Sequence, residues 1–150
     1  MEPKRLILDH FIPYRLSVTS NVVSDVIATA YEALFALTIP EWRVIAVVAE
    51  NDGITQQGIC TATRMDKVTV SRATIALVDR GLIARAPNDA DRRSRLLALT
   101  RSGRSLYADV APKALEFEQR IFASFPQEQL DQFMTILRAI EMRALEVGEV

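Results

Sequence analysis

The chain has one cysteine, Cys60, one histidine, His10, and one tryptophan, Trp42. A lone cysteine excludes an intrachain disulfide and fits a reducing compartment. Cys60 sits beside Ile59 in a segment with helical character, which suggests burial and low reactivity, not a thiol sensor. A protein zinc site would have to rest on carboxylates, and no ligand spacing supports one, so neither metal nor cofactor is expected. Glycine is also sparse, and none of it builds a phosphate-cradling loop; no nucleophile elbow or metalloprotease helix motif occurs either. The chain therefore does not read as an enzyme. Long apolar runs are missing too: none reaches the roughly 18 residues needed to span a bilayer. The segment after Arg5 is broken by Asp9, His10 and Pro13, unlike the apolar stretch of a signal peptide. The expectation is a cytoplasmic protein with no membrane segment.

Residues are 49% hydrophobic and 25% charged, enough for a packed core. The formal net charge of −1 gives no hint of an anionic partner. Its distribution does. Residues 1–63 carry a net −3, residues 64–105 a net +6 and residues 106–150 a net −4. A basic block between acidic flanks is either a solvated face or an electrostatic footprint for something anionic. Local structure has to decide.

The chain from Leu6 to about Leu37 reads as a long helix, or a short turn and then a helix, with Pro13 at the break. Val22, Val23, Val26, Ile27, Ala30, Tyr31 and Leu34 recur at helical spacing along it. Thr38-Ile39-Pro40-Glu41 is a capping-box pattern opening a helix to about Glu50, and Asn51-Asp52-Gly53 stops that helix. Thr55 caps a short helix to about Ala62. After a turn at Arg64-Met65, Asp66 caps another from Lys67 to about Arg80, closed by Gly81. Two short capped helices joined by a tight turn make a helix-turn-helix. The period then changes. Residues 82–86 and 95–99 read as strands of a hairpin with a polar, charged tip. Thr100 caps a helix to about Phe122, and Pro126 opens a last one, with Phe125 as its expected N-cap. That last helix carries Leu130, Phe133, Met134, Leu137, Ile140, Ala144 and Leu145 at helical spacing.

The fold class is thus mainly α with a small β-hairpin wing, a winged helix-turn-helix flanked by long helices. On the helix after Asp66, Val70, Thr74, Leu77 and Val78 fall on an inward face. Lys67, Thr69, Ser71, Arg72 and Ile75 lie largely off it and crowd the helix N-terminus. Donors and hydroxyls there suit base edges and phosphates, and this is the end a recognition helix presents to the major groove. A solvent-exposed helix start would explain the same residues. The hairpin tip tilts the balance, because Arg92, Arg93 and Arg95 would sit beside the reading helix and reach the minor groove or its phosphates. Asp91 can pair with one arginine and orient another. The candidate DNA-contacting set is Arg64, Lys67, Thr69, Val70, Ser71, Arg72, Arg92, Arg93 and Arg95, with Val70 included despite its place on the inward face.

Three stretches carry a family resemblance: residues 65–72 (MDKVTVSR), residues 77–83 (LVDRGLI), and the wing from Asp89-Ala90-Asp91-Arg92-Arg93-Ser94 through Leu99-Thr100. With the long flanking helices, they make nearly the whole chain resemble the multiple-antibiotic-resistance regulator (MarR) family. The resemblance implies a homodimer that binds pseudo-palindromic double-stranded DNA operators, usually as a repressor, with release by a small aromatic or phenolic ligand. It implies that Lys67, Thr69, Ser71 and Arg72 read the major groove and the wing arginines the minor groove. The segments then become an N-terminal dimerisation helix (1–37), a winged DNA-binding lobe (38–100) and C-terminal dimerisation helices (101–150), forming one intertwined domain. The apolar stripes of the first and last helices could bury each other within one chain or pair across a twofold axis; reading two half-sites favours the second. An effector pocket between arms and lobe would draw on His10, Tyr14, Arg15, Trp42 and Arg43, an arginine taking a carboxylate and the aromatics stacking on a ring. A winged helix that docks protein instead of DNA is the competing class, but it would not need an arginine-rich wing beside the Lys67/Ser71/Arg72 face.

Overall fold

The structure, a computed structural model, describes residues 1–149. After a single 3-10 turn (Leu8–His10) come helices α1 (Ile12–Phe35), α2 (Ile39–Glu50), α3 (Gln56–Thr63) and α4 (Lys67–Asp79). Strands β1 (Ile83–Pro87) and β2 (Arg95–Leu99) follow, then helices α5 (Arg101–Phe122) and α6 (Gln127–Gly148). The chain divides into two compact units, Met1–Ala114 and a second from Leu115 onward. The long N-terminal helix therefore shares a unit with the winged lobe.

Local chemistry explains most boundaries. Pro13 sits in the first turn of α1, where a missing amide costs nothing. The capping box of α2 is complete: the Glu41 amide donates to Thr38 Oγ1, and the Thr38 amide donates to Glu41 Oε1. Thr55 accepts from the Gly58 amide at the start of α3, and Asp66 accepts from the Thr69 amide at the start of α4. Gly81, at φ +71°, closes α4 in a Schellman motif, in which the Gly81 amide bonds Val78 O and the Leu82 amide bonds Leu77 O. The helix ends one residue earlier than its sequence suggests and β1 begins one residue later, because Leu82 completes this cap. At the start of α6, Pro126 and not Phe125 occupies the N-cap position. Proline's fixed φ already meets the extended geometry needed there, and no side-chain cap bond forms.

In the first unit the core runs through Val44, Ile45 and Val48 of α2, Ile59 of α3, Val70, Ala73 and Leu77 of α4, and Ile83 and Leu97 of the hairpin, all buried. The wing pairs antiparallel from Ile83 opposite Leu99 to Pro87 opposite Arg95. Ile54, just ahead of α3, adds a bridge to Leu97, whose amide donates to Ile54 O at 2.7 Å. The root of the wing is thus pinned to the helix-turn-helix. Its other side is clamped to α5. Thr100 donates its hydroxyl to Gly81 O (2.6 Å) and its amide to Leu82 O (3.0 Å), and it accepts from the Gly103 amide (3.0 Å).

α1 and α2 meet at 79° across residues 36–38. Ala36 takes a left-handed conformation (φ 52°), unusual for a residue with a side chain, and so turns Leu37 into the core. The Arg80 guanidinium donates to the carbonyls of Ala36 (2.9 Å) and Phe35 (3.3 Å), satisfying the last turn of α1. In the second unit, Phe122 and Phe125 pack 6.4 Å apart and Arg120 lies over the Phe117 ring. α6 buries none of its described residues; Phe133, Met134, Ile136, Ile140 and Met142 are exposed. α1 likewise leaves Val22, Val26 and Leu34 exposed.

Candidate nucleic-acid interface

The turn between α3 and α4 is built so that α4 starts cleanly into solvent. Arg64 adopts φ 59° as the C-terminal cap of α3, its amide bonding Cys60 O. Asp66 then binds the Thr69 amide (2.7 Å) and the Thr69 hydroxyl (2.9 Å). The Thr69 amide, followed by the Thr69 hydroxyl, holds the Asp66 carboxyl below its ordinary range. The Asp66 charge also suits the positive end of the helix dipole.

This capping alters the expected roles of two residues. The Thr69 hydroxyl donates to Asp66, so its donor is committed to the cap and not offered outward. Val70 is fully buried at 0% exposure, packed with Ala73 and Leu77 in the core, and cannot touch DNA. Residues 70, 73, 74 and 77 define the inward face, so Val70 belongs to the scaffold. Thr74 is buried among them, and its hydroxyl has no hydrogen-bond partner among the described residues.

The outward stripe of α4 is the opposite one. Arg72 and Lys67 are exposed, Ser71 is half-buried, and Val68 and Ile75 are exposed with them. Neither Lys67 nor Arg72 enters an ion pair among the described residues. Arg64 is exposed at the same end. Sequence reasoning placed Ile75 off the inward face without assigning it a contact and did not single out Val68. Spacing alone would have found Val68, since residues 68, 72 and 75 follow one another at i, i+4 and i+7.

The wing tip is folded, not loose. Asn88 bonds Ser94 Oγ (2.9 Å) and the Ala90 amide, and the Asp91 amide bonds Asn88 O. Asp91 accepts from both the amide (3.1 Å) and Nε (3.3 Å) of Arg93. Arg92 and Arg95 are exposed and form no ion pair among the described residues. The tip therefore uses one arginine for its own geometry and leaves two cations outward. Arg85, on β1, adds a further exposed cation that the sequence reading passed over.

The effector candidates are spread over different surroundings. His10 and Tyr14 are exposed, and Arg15 pairs with Asp9 at 3.3 Å. Trp42 is half-buried between Tyr31 (5.7 Å, edge-on) and Tyr107 (5.8 Å, stacked), while Arg43 is exposed. Burial pushes the Tyr31 hydroxyl up. Tyr107 also borders an open depression of about 400 Å³, lined with Val48, Asp52, Leu99 and Arg104. No cluster of three or more metal-ligating side chains occurs among the described residues, and no single helix is long and apolar enough to cross a membrane.

Comparison with known proteins agrees with this architecture. Residues 37–94 match the family model described as MarR family. Transcriptional regulator HosA of Escherichia coli O111:H- is 28% identical over 102 residues, covering 68% of this chain and 76% of that protein. A MarR/EmrR family transcriptional regulator from Acinetobacter sp. ADP1 shares the fold with a TM-score of 0.87 at 24% identity, covering 94% of this chain and 99% of that one. CouR from Rhodococcus jostii RHA1, solved bound to p-coumaroyl-CoA, has a TM-score of 0.80 at 25% identity, covering 91% of this chain and 95% of that one. The capped helix α4, the clamped arginine wing and these likenesses agree: residues 37–94 match the MarR family, and the chain shares its winged helix-turn-helix fold with MarR-family transcriptional regulators.

Proposed function

We propose that the protein is a homodimeric repressor acting in the cytoplasm. Each protomer reads one half of a pseudo-palindromic operator, and a small aromatic or phenolic ligand releases the complex. The exposed cations at the start of α4, which enter no ion pair among the described residues and lie on the side opposite the buried 70-73-74-77 face, carry this reading. A helix so oriented offers its N-terminal side chains to a groove, and Arg92 and Arg95 on the ordered wing supply phosphate or minor-groove contacts. Arg64, Lys67, Ser71 and Arg72 are the major-groove set. Thr69 contributes through its methyl and remaining lone pairs.

Dimerisation is supported by the apolar residues left exposed on α1 and, separately, on α6. A second copy covering them also supplies the second half-site. An aromatic effector is supported by the Tyr31-Trp42-Tyr107 cluster and by the ligand named for CouR. No reaction is assigned to the chain.

The test is affinity for the gene's own upstream DNA against random DNA over a salt series. The operator should bind far more tightly than random duplex. Arg72→Ala should lower operator affinity by about 1–3 kcal/mol and relax base preference. Equal affinity for both duplexes would instead favour a winged helix that docks protein, and a monomeric mass in sedimentation would remove the dimer.

A further inference from the structure

On the outward stripe of α4, two apolar β-branched residues flank the arginine. Val68 is 57% exposed and Ile75 is 49% exposed, one turn before and one turn after Arg72. Neither supports the core, which is built from the opposite face. Neither helps the helix locally, because valine and isoleucine are poorer helix formers than alanine, leucine or lysine. Solvent is a poor place for either, so the stripe is shaped for a partner with apolar points beside a polar one. The major groove offers that combination: the thymine 5-methyl is its one apolar feature, and guanine N7 and O6 accept two bonds from an arginine.

We infer that Val68, with Ile75 on the same stripe, is a specificity-determining residue that reads thymine methyls on either side of a guanine read by Arg72. This rests on α4 being the groove-reading helix. The spacing is compatible. Side chains one turn apart lie about 5–6 Å from each other and bases on a strand rise about 3.4 Å per step, so the thymine read by Val68 falls one or two base pairs from the guanine. Val68, in the first turn of α4, is the stronger contributor, because base contacts concentrate at the start of a reading helix.

The experiment begins by selecting the preferred duplex from a randomised library with the full-length protein. That duplex is then resynthesised with deoxyuridine replacing each half-site thymine in turn, which removes the methyl and leaves base pairing intact. Wild type should lose affinity about fourfold at each contacted thymine, the worth of one buried methyl group. Val68→Ala should lose that sensitivity at one thymine, and Val68→Thr, which keeps a methyl in place, should largely retain it. Ile75→Ala should lose it at a thymine on the other side of the guanine. Specific binding that ignores deoxyuridine throughout overturns the inference while leaving operator reading intact. So does a loss that is the same in wild type and Val68→Ala. A library that yields no preferred sequence overturns the operator reading itself, and this inference with it.

Discussion

Replacing Gly103 with alanine sets two effects against each other. Gly103 lies buried in the first turn of α5. By helix preference alone, alanine should be better by about 1 kcal/mol. An added Cβ, however, would overlap the Leu82 carbonyl oxygen, lie 3.0 Å from the Leu82 carbonyl carbon, and press on Leu99 Cβ at 3.4 Å. The first two obstacles are backbone, so no flexible side-chain end can yield. Leu82 O also accepts from the Thr100 amide, and a shift that relieves the overlap stretches that bond. Overpacking of this kind costs about 1–3 kcal/mol and a weakened hydrogen bond about 1 more. The clash therefore wins, with a net loss of about 1–3 kcal/mol, or roughly 3–10 °C in the melting midpoint for a protein of this size. Circular dichroism melts at one fixed protein concentration measure it. Gly148→Ala, where an added Cβ meets nothing within 4 Å, is the control and should melt no lower than wild type. A Gly103→Ala protein that melts at or above wild type would refute the close approach between α5 and the wing root.

The two kinds of wing arginine should separate by salt dependence: Arg92→Ala should reduce the slope of log affinity against log salt by about one, as expected for one lost phosphate contact. Arg93→Ala should change the slope less, because Arg93 Nε faces Asp91, and should show mainly as a looser tip in hydrogen exchange. Asp66 predicts a pH effect on stability. Its folded-state carboxyl is held low, so its contribution is fully present above the ordinary aspartate range and disappears as pH falls through the lowered value. Asp66→Ala should therefore be less stable than wild type at neutral pH, and the difference should close in acid; a gap that is unchanged at low pH contradicts the charged cap.

The features legible in the sequence were those set by near neighbours. Thr38 with Glu41, Thr55, Asp66, Gly81 and Thr100 each act within a few residues, so their caps could be read directly and occur as expected. Strand and helix limits moved by a single residue where a cap needed one, as at Leu82. Val70 was kept in the groove-facing set for its nearness to the helix start although its spacing already put it on the inward face, and its burial decides for the spacing. Thr69 was over-assigned for a related reason: its hydroxyl has a closer customer in Asp66. The bonds that orient the site were not legible at all. Arg80 meets Phe35 and Ala36 from more than forty positions away, and Ile54 meets Leu97 across the whole helix-turn-helix. Nothing local marks either pair.

The Arg80 contact has a mechanical side. α4 is fastened at its front by Asp66 and at its back by Gly81, and Arg80 grips the final carbonyls of α1 from the residue that follows it. A helix held at both ends does not bend to fit a sequence; it swings as one piece with the part it is bolted to. Here that part is the lobe of α2, α3 and the wing root on which α4 packs, and Arg80 ties that lobe to the end of α1. Under the proposed function, the angle at which a protomer would offer α4 to DNA is set at the 79° elbow between α1 and α2. In the proposed dimer, a rotation at that elbow that leaves the contacts of α4 with its own lobe intact would still change the distance between the two copies of α4. Operator spacing, which is a property of the DNA, would then have its counterpart in a joint made by one guanidinium and an alanine in a left-handed turn.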